Sequence, residues 1–126
     1  MARFACAGCC IDGRVQELVA NYLKRIYGVQ FVDMVNRKGI NLILALNKDL
    51  IRILDIRDEM ETSVNGHGSE IIAIVGHPDC GGNLAEKEEQ IEHLRAAKKT
   101  VEGFGLNAQV VLLWVEDNKE VIAVAA

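Results

Sequence analysis

Three residues of this chain have the chemistry of a soft metal site: Cys10, His77 and Cys80. Thiolates and imidazole are donors that suit zinc. The His77-x-x-Cys80 spacing lets two donors from one loop reach one ion, and Cys10 comes from a distant segment to tie two loops together. Three protein donors leave a fourth position for water, as catalytic zinc sites do. Opposite charges, Asp12 and Arg14, stand just behind Cys10. Each residue also has a plainer reading. Cys10 alone reads as a small buried hydrophobe and His77 as a loop histidine bonded to backbone. Asp12 reads as the cap of a helix beginning near Gly13, and Arg14 as a solvated helix charge. Together those readings must explain two Cys/His clusters in one short chain, which the metal reading does with one cause.

The elements that must position these residues follow from periodicity. Arg3–Cys9 is short and apolar and reads as a buried strand. Val15, Leu18, Val19, Tyr22, Leu23 and Ile26 keep helical spacing up to Gly28. Val29–Val35 is β-branched and aromatic, a second strand. Asn36–Asn41 is a polar connection, and Leu42–Leu46 fits strand or helix. Asp49–Val64 is expected to be helical, with Leu50, Ile53, Leu54 and Met60 inward, and Asn65–Ser69 to be a loop. Glu70–Gly76 is a continuous apolar run, suited to a strand covered on both faces. Asn83 and Glu86 have capping-box spacing ahead of a helix marked by Leu84, Ile91, Leu94, Ala97 and Val101. Gly103 and Gly105 end it. Ala108–Val115 is a further strand, Glu116–Lys119 a turn, and Glu120–Val124 an antiparallel edge strand.

This alternation predicts an α/β fold in one domain, residues 1–126. Its sheet has about four parallel strands plus the antiparallel edge strand, flanked by helices. Ligands in such sheets bind beyond the carboxyl ends of strands where the strand order reverses. Cys10–Arg14 and His77–Cys80 each follow a strand directly. If the first and third strands are neighbours, both clusters meet at one crevice.

The chain has 126 residues, half of them hydrophobic and a quarter charged, with a net charge of -4. That is globular composition. There is no Lys/Arg block and aromatics are only 5%, so neither a nucleic-acid footprint nor a base-stacking surface is expected. The apolar stretch between Arg3 and Cys9 is shorter than the roughly 7–15 residues of a secretory signal, and no run is long enough to span a membrane. A cytoplasmic location is expected, where clustered cysteines point to metal or redox chemistry rather than disulfides. Cys6 and Cys9 form a C-x-x-C; on a strand they point to opposite faces, and a packing role is expected for both. His67, His93 and Asp79 are expected to be ordinary polar residues, Asp79 bonding backbone or a neighbouring group.

Cys10-Ile-Asp12-Gly-Arg14 resembles the C-x-D-x-R motif of β-class carbonic anhydrases, and Gly76-His77-Pro-Asp-Cys80-Gly81 their G-H-x-x-C-G motif. Order and strand context match. FVDMVNRKG and GLNAQVVLLWVEDNKEV resemble, more distantly, the family's intervening and last strands, so the resemblance covers nearly the whole chain. It implies a β-carbonic-anhydrase-like fold with Zn2+ on Cys10, His77 and Cys80 and a fourth ligand of water or hydroxide. It implies reversible hydration of CO2 to bicarbonate by zinc-bound hydroxide. Asp12 and Arg14 are implied as the catalytic pair: the arginine holds the aspartate off the metal, and the aspartate orients the hydroxide. The partners implied are the small-molecule substrate and further copies of the chain, as a homodimer or higher homo-oligomer, with no nucleic acid and no membrane.

Two other functions fit the same residues. One is a hydrolase of carbonyl sulfide or carbon disulfide on the same zinc. The other is a non-catalytic, zinc-stabilised dimeric domain with Asp12 as fourth ligand; the preserved Asp12–Arg14 pair argues against it. A dinucleotide-binding protein is disfavoured, because neither G-x-G-x-x-G nor G-x-x-x-x-G-K-[ST] occurs.

Overall fold

The β-branched and small-residue runs form the five strands of one sheet. They are β1 (Phe4–Cys9), β2 (Phe31–Asn36), β3 (Ile71–Gly76), β4 (Gln109–Glu116) and β5 (Glu120–Val124). The structure is a computed structural model that describes residues 2–126. The strand order is β2-β1-β3-β4-β5. The first four are parallel, and β5 returns antiparallel along β4. The order reverses between β1 and β3, so the ends of these two strands open onto one crevice. Cys10 follows one of them and His77 the other.

Four helices cover the sheet: α1 (Gly13–Tyr27), α2 (Ile40–Leu46), α3 (Leu50–Glu61) and α4 (Lys87–Glu102). Val15, Val19 and Leu23 of α1 pack on Ala5, Ala7 and Cys9 of β1 and on Leu113 and Val115 of β4. The other three helices cover the opposite face, where Ile40, Leu44, Ile56, Met60 and Leu94 meet Cys6, Ile72, Ile74 and Leu112. Cys6 and Cys9 are fully buried on opposite faces of the strand that delivers Cys10. Gly28 ends α1 in the left-handed region at φ 67°, a conformation that glycine adopts without strain.

The structure resolves or corrects several sequence expectations. The apolar run at Leu42–Leu46 is helical, because Ile40 and Leu44 reach the sheet from one face of a short helix. With α2 and α4 on the sheet, α3 contributes only the stripe Ile53, Ile56 and Met60. Leu50 and Leu54, expected inward, are 67% and 50% exposed. A π-helical turn, Thr62–Gly66, prolongs α3. The last helix starts at Lys87 rather than beside Asn83, and Leu84 is exposed. Asn83 accepts instead from the Ala85 N–H and is buried.

The connection after β2 touches the loop after β3 backbone to backbone. A Cβ on Gly39 would lie 2.3 Å from the Gly82 carbonyl oxygen, and a Cβ on Gly82 would lie 2.5 Å from the Gly39 nitrogen. Only glycines allow this approach, which presses the β2 connection against the Cys80 turn.

Candidate metal centre

Cys10 is set by its backbone. Asn36 Nδ2 donates to the carbonyls of Cys9 and Cys10, both at 3.2 Å. Gln16 Nε2 reaches back from α1 to the carbonyls of Ile11 at 2.9 Å and Cys10 at 3.4 Å. Across the crevice, Asn83 N–H donates to the Cys80 carbonyl and closes the tight turn that carries this second cysteine. The two sulfurs stand 3.8 Å apart. Two thiolates on a tetrahedral ion with bonds of about 2.3 Å also stand about 3.8 Å apart, whereas a disulfide needs about 2.05 Å. The donor atoms of Cys10, His77 and Cys80 all lie within 4.8 Å of one another, and all three residues are buried.

His77 is 1% exposed. Its Nδ1 lies 3.0 Å from Asn118 Oδ1. Asn118 Nδ2 donates to the Pro78 carbonyl at 3.4 Å, which turns Oδ1 toward the imidazole. With that oxygen as acceptor, the pairing favours the tautomer with the proton on Nδ1 and the lone pair on Nε2. That Nε2 is buried with no hydrogen-bond partner. An unsatisfied buried polar group costs about 1–3 kcal/mol, and a metal ion would satisfy this one. Two sulfurs and one orphaned imidazole nitrogen form a donor set that fits zinc. Trp114 Nε1 is the other buried orphan among the described residues; Trp114 helps to wall a cleft of about 290 Å³ beside Cys80.

Asp12 and Arg14 lie together at the start of α1. Asp12 caps the helix by accepting the Arg14 backbone N–H at 2.9 Å. The Arg14 side chain then folds back, with Nε 3.0 Å from Oδ1 and Nη2 2.6 Å from Oδ2. Hydrogen bonds from this guanidinium and from its own backbone N–H hold the Asp12 carboxyl well below the usual carboxylate range. The same pairing raises Arg14 further above its ordinary value. Asp12 is thus ionised and acts only as an acceptor. Arg14 also crosses the crevice to Asp79, with Nη1 3.3 Å from Oδ2 and Nη2 3.3 Å from the carbonyl. One side chain thereby joins the Cys10 loop to the His77–Cys80 loop.

A buried amide network, which sequence reading missed, supports that second loop. Gln90 Nε2 donates to the His77 carbonyl at 2.9 Å and to the Ala85 carbonyl at 3.1 Å. Its Oε1 accepts from Asn41 Nδ2 at 3.1 Å. Asn83 Nδ2 lies 3.3 Å from Asn41 Oδ1 and 3.0 Å from His93 Nδ1. The available signal was a glutamine on the buried stripe Gln90, Leu94, Ala97 and Val101 of α4. Asn118 gave no comparable signal. Burial pushes the Cys6 and Cys9 thiols up to about 12, which fits packing and not nucleophilic chemistry. His67 lies away from this centre, with Nδ1 2.7 Å from Asp33 Oδ2.

The family model described as "Putative carbonic anhydrase" matches residues 1–125. No curated protein matches the chain. Among solved structures, β-carbonic anhydrase isoform I of the protozoan Trichomonas vaginalis is similar with a TM-score of 0.58 at 18% identity, over 94% of this chain and 80% of that one. The β-carbonic anhydrase CafA of the fungus Aspergillus fumigatus gives 0.54 at 14%, over 98% and 76%. A tetrameric β-carbonic anhydrase of the ascomycete Sordaria macrospora gives 0.54 at 14%, over 100% and 83%. At these identities the likeness is one of fold, while the family match runs almost from end to end. On that match, the chain belongs to the family described as putative carbonic anhydrases, and its fold is that of the β-carbonic anhydrases.

Proposed function

We propose that residues 1–126 act as one zinc-dependent, carbonic-anhydrase-like lyase domain that hydrates CO2 reversibly to bicarbonate. Cys10, His77 and Cys80 hold the metal, and Asp12 and Arg14 are the catalytic pair. The observation that carries this reading is the orphaned His77 Nε2 in one buried cluster with two sulfurs 3.8 Å apart. The chemistry that zinc supplies in such a site is a water ionised near neutral pH, the nucleophile for CO2.

The protein's own contribution is orientation. Asp12 is held ionised, so it accepts a hydrogen bond from the nucleophile and aligns its lone pair. It cannot serve as a proton donor near neutral pH. Arg14 fixes Asp12 by a two-point fork, a geometry that a guanidinium provides and an ammonium does not. Without that fork, Asp12 would be free to turn and become a further ligand of a bound ion. A purely structural metal site has no use for such a restraint.

The chain is proposed to work as a homo-oligomer. The Sordaria macrospora enzyme of similar fold is described as tetrameric, which supports this. No helix among the described residues is long and apolar enough to cross a membrane. The cytosol is the proposed compartment, since it keeps the free thiols reduced.

Stopped-flow CO2 hydration on zinc-loaded protein tests the activity, with carbonyl sulfide hydrolysis measured beside it. CO2 turnover well above buffer supports the reading. Sulfide release without CO2 turnover reassigns the site to a sulfur substrate.

A further inference from the structure

We infer that Asn118, at the tip of the β4–β5 hairpin, is a positioning residue that fixes the tautomer and direction of His77, making the hairpin a third wall of the metal site. The inference rests on the metal reading above and adds a residue outside both sequence motifs.

Three observations carry it. First, the contact is specific in its polarity. Asn118 lies 3.0 Å from His77 Nδ1, and its amide nitrogen faces the Pro78 carbonyl at 3.4 Å. Flipping the amide would set its oxygen against the Pro78 carbonyl, so the Pro78 contact is what selects the orientation that presents an acceptor to Nδ1. One orientation therefore satisfies both ends, and it places the histidine proton on Nδ1. Second, the group it orients has a single remaining task. His77 is buried and its Nε2 has no other partner, so the asparagine decides whether that nitrogen offers a lone pair or an N–H to the two sulfurs. Ligating histidines are commonly held in this way by an acceptor on the second nitrogen.

Third, the backbone selects the residue. Asp117 and Asn118 have φ of 53° and 55°, and the Lys119 N–H donates to the Glu116 carbonyl at 2.9 Å. This is a type I′ turn, whose two central positions both require the left-handed region. Asparagine, aspartate and glycine tolerate that region. Of these, asparagine alone offers both an uncharged acceptor for Nδ1 and a donor for Pro78. The pairs Val115–Val121 and Glu116–Glu120 fix the hairpin register and so the reach of its tip.

The backbone preference also supplies a clean test. Asn118→Gly keeps the turn, because glycine enters the left-handed region without strain, and it deletes the acceptor. Asn118→Asp keeps both the turn and the acceptor. Zinc affinity is measured by competition with a chromophoric chelator, and the His77 tautomer by 15N NMR of the metal-free protein. The inference predicts zinc binding weakened about 10–100-fold in Asn118→Gly, with affinity restored in Asn118→Asp. It also predicts a parent His77 protonated on Nδ1 and loss of that preference in Asn118→Gly.

Unchanged zinc affinity in Asn118→Gly overturns the inference. If the parent chain takes up no zinc, the metal reading fails. The tautomer comparison then decides the role of Asn118: persistence of the Nδ1–H form in Asn118→Gly overturns it, and its loss supports it.

Discussion

The Arg14 guanidinium grips the Asp12 carboxylate at both oxygens, with Nη2 2.6 Å from Oδ2 and Nε 3.0 Å from Oδ1, and its other terminal nitrogen lies 3.3 Å from Asp79. Both contacts cross from helix α1 back to the loops that follow β1 and β3. The arrangement ties up a carboxylate two residues from Cys10 and leaves it outside the Cys10–His77–Cys80 donor cluster.

Replacing Arg14 by alanine or lysine is expected to lower CO2 hydration by about 10²-fold, at the lower end of what a positioned acid–base group contributes. Zinc content should stay at one per chain, because none of the three ligands is touched. Lysine should not rescue, since it lacks the planar fork. Metal analysis and stopped-flow rates on the same samples check this.

Asp12 is expected to titrate below the value of about 3.9 for an unpaired aspartate, read from the pH dependence of its 13C carboxyl shift. Its folded value is lowered, so the stabilisation it gives is fully present above the unfolded value. It fades only as pH falls toward the lowered folded value. Removing the Arg14 side chain should move the midpoint upward. The stability difference between parent and Arg14→Ala should persist near neutral pH and shrink in acid.

Gln90→Leu keeps an apolar stem in the α4 stripe but leaves the His77 carbonyl and the Asn41 amide without their partner. The expected loss is at least about 2 kcal/mol, from two buried groups each costing about 1–3 kcal/mol. Urea unfolding with an unchanged m-value measures it.

Gly82→Ala places a methyl 2.5 Å from the Gly39 nitrogen. Backbone cannot yield there as a flexible side chain would. The substitution is expected to fall at the upper end of the roughly 1–3 kcal/mol typical of overpacking. It should also weaken zinc binding, because the displaced segment carries Cys80. Thermal melts and chelator competition test the two effects separately.

Cys6→Ala and Cys9→Ala should each retain one zinc per chain, at a modest cost in stability. Their thiols are buried and pushed up to about 12, so alkylating reagents should leave them untouched in the native protein near neutral pH. Peptide mapping after labelling checks this.

The sequence was most informative where chemistry and periodicity coincide. Cys10 and His77 directly follow apolar runs, so once the structure supplies β1 and β3 as neighbours, both clusters meet at one crevice. Gly28 and the turn at Glu116–Lys119 were legible because positive φ restricts residue choice. The apolar run Leu42–Leu46 was ambiguous because seven residues, Ile40–Leu46, are too few for a helical period to declare itself. Leu50 and Leu54 were misplaced because periodicity cannot show that α2 already occupies the sheet. Asn83 looked like a cap, yet burial beside Asn41 and His93 uses its side chain otherwise. Asn118 lies 41 residues from His77, and only the hairpin register brings the two together.

The central claim, that the Cys10–His77–Cys80 cluster holds a zinc ion used for CO2 hydration, is tested most directly by titrating zinc into metal-free protein while following CO2 hydration by stopped flow. The account predicts a rate that rises linearly and breaks at one zinc per chain, with no rise in Cys10→Ser or Cys80→Ser. It is contradicted if the parent chain takes up no zinc, or if the rate at full occupancy equals that of buffer.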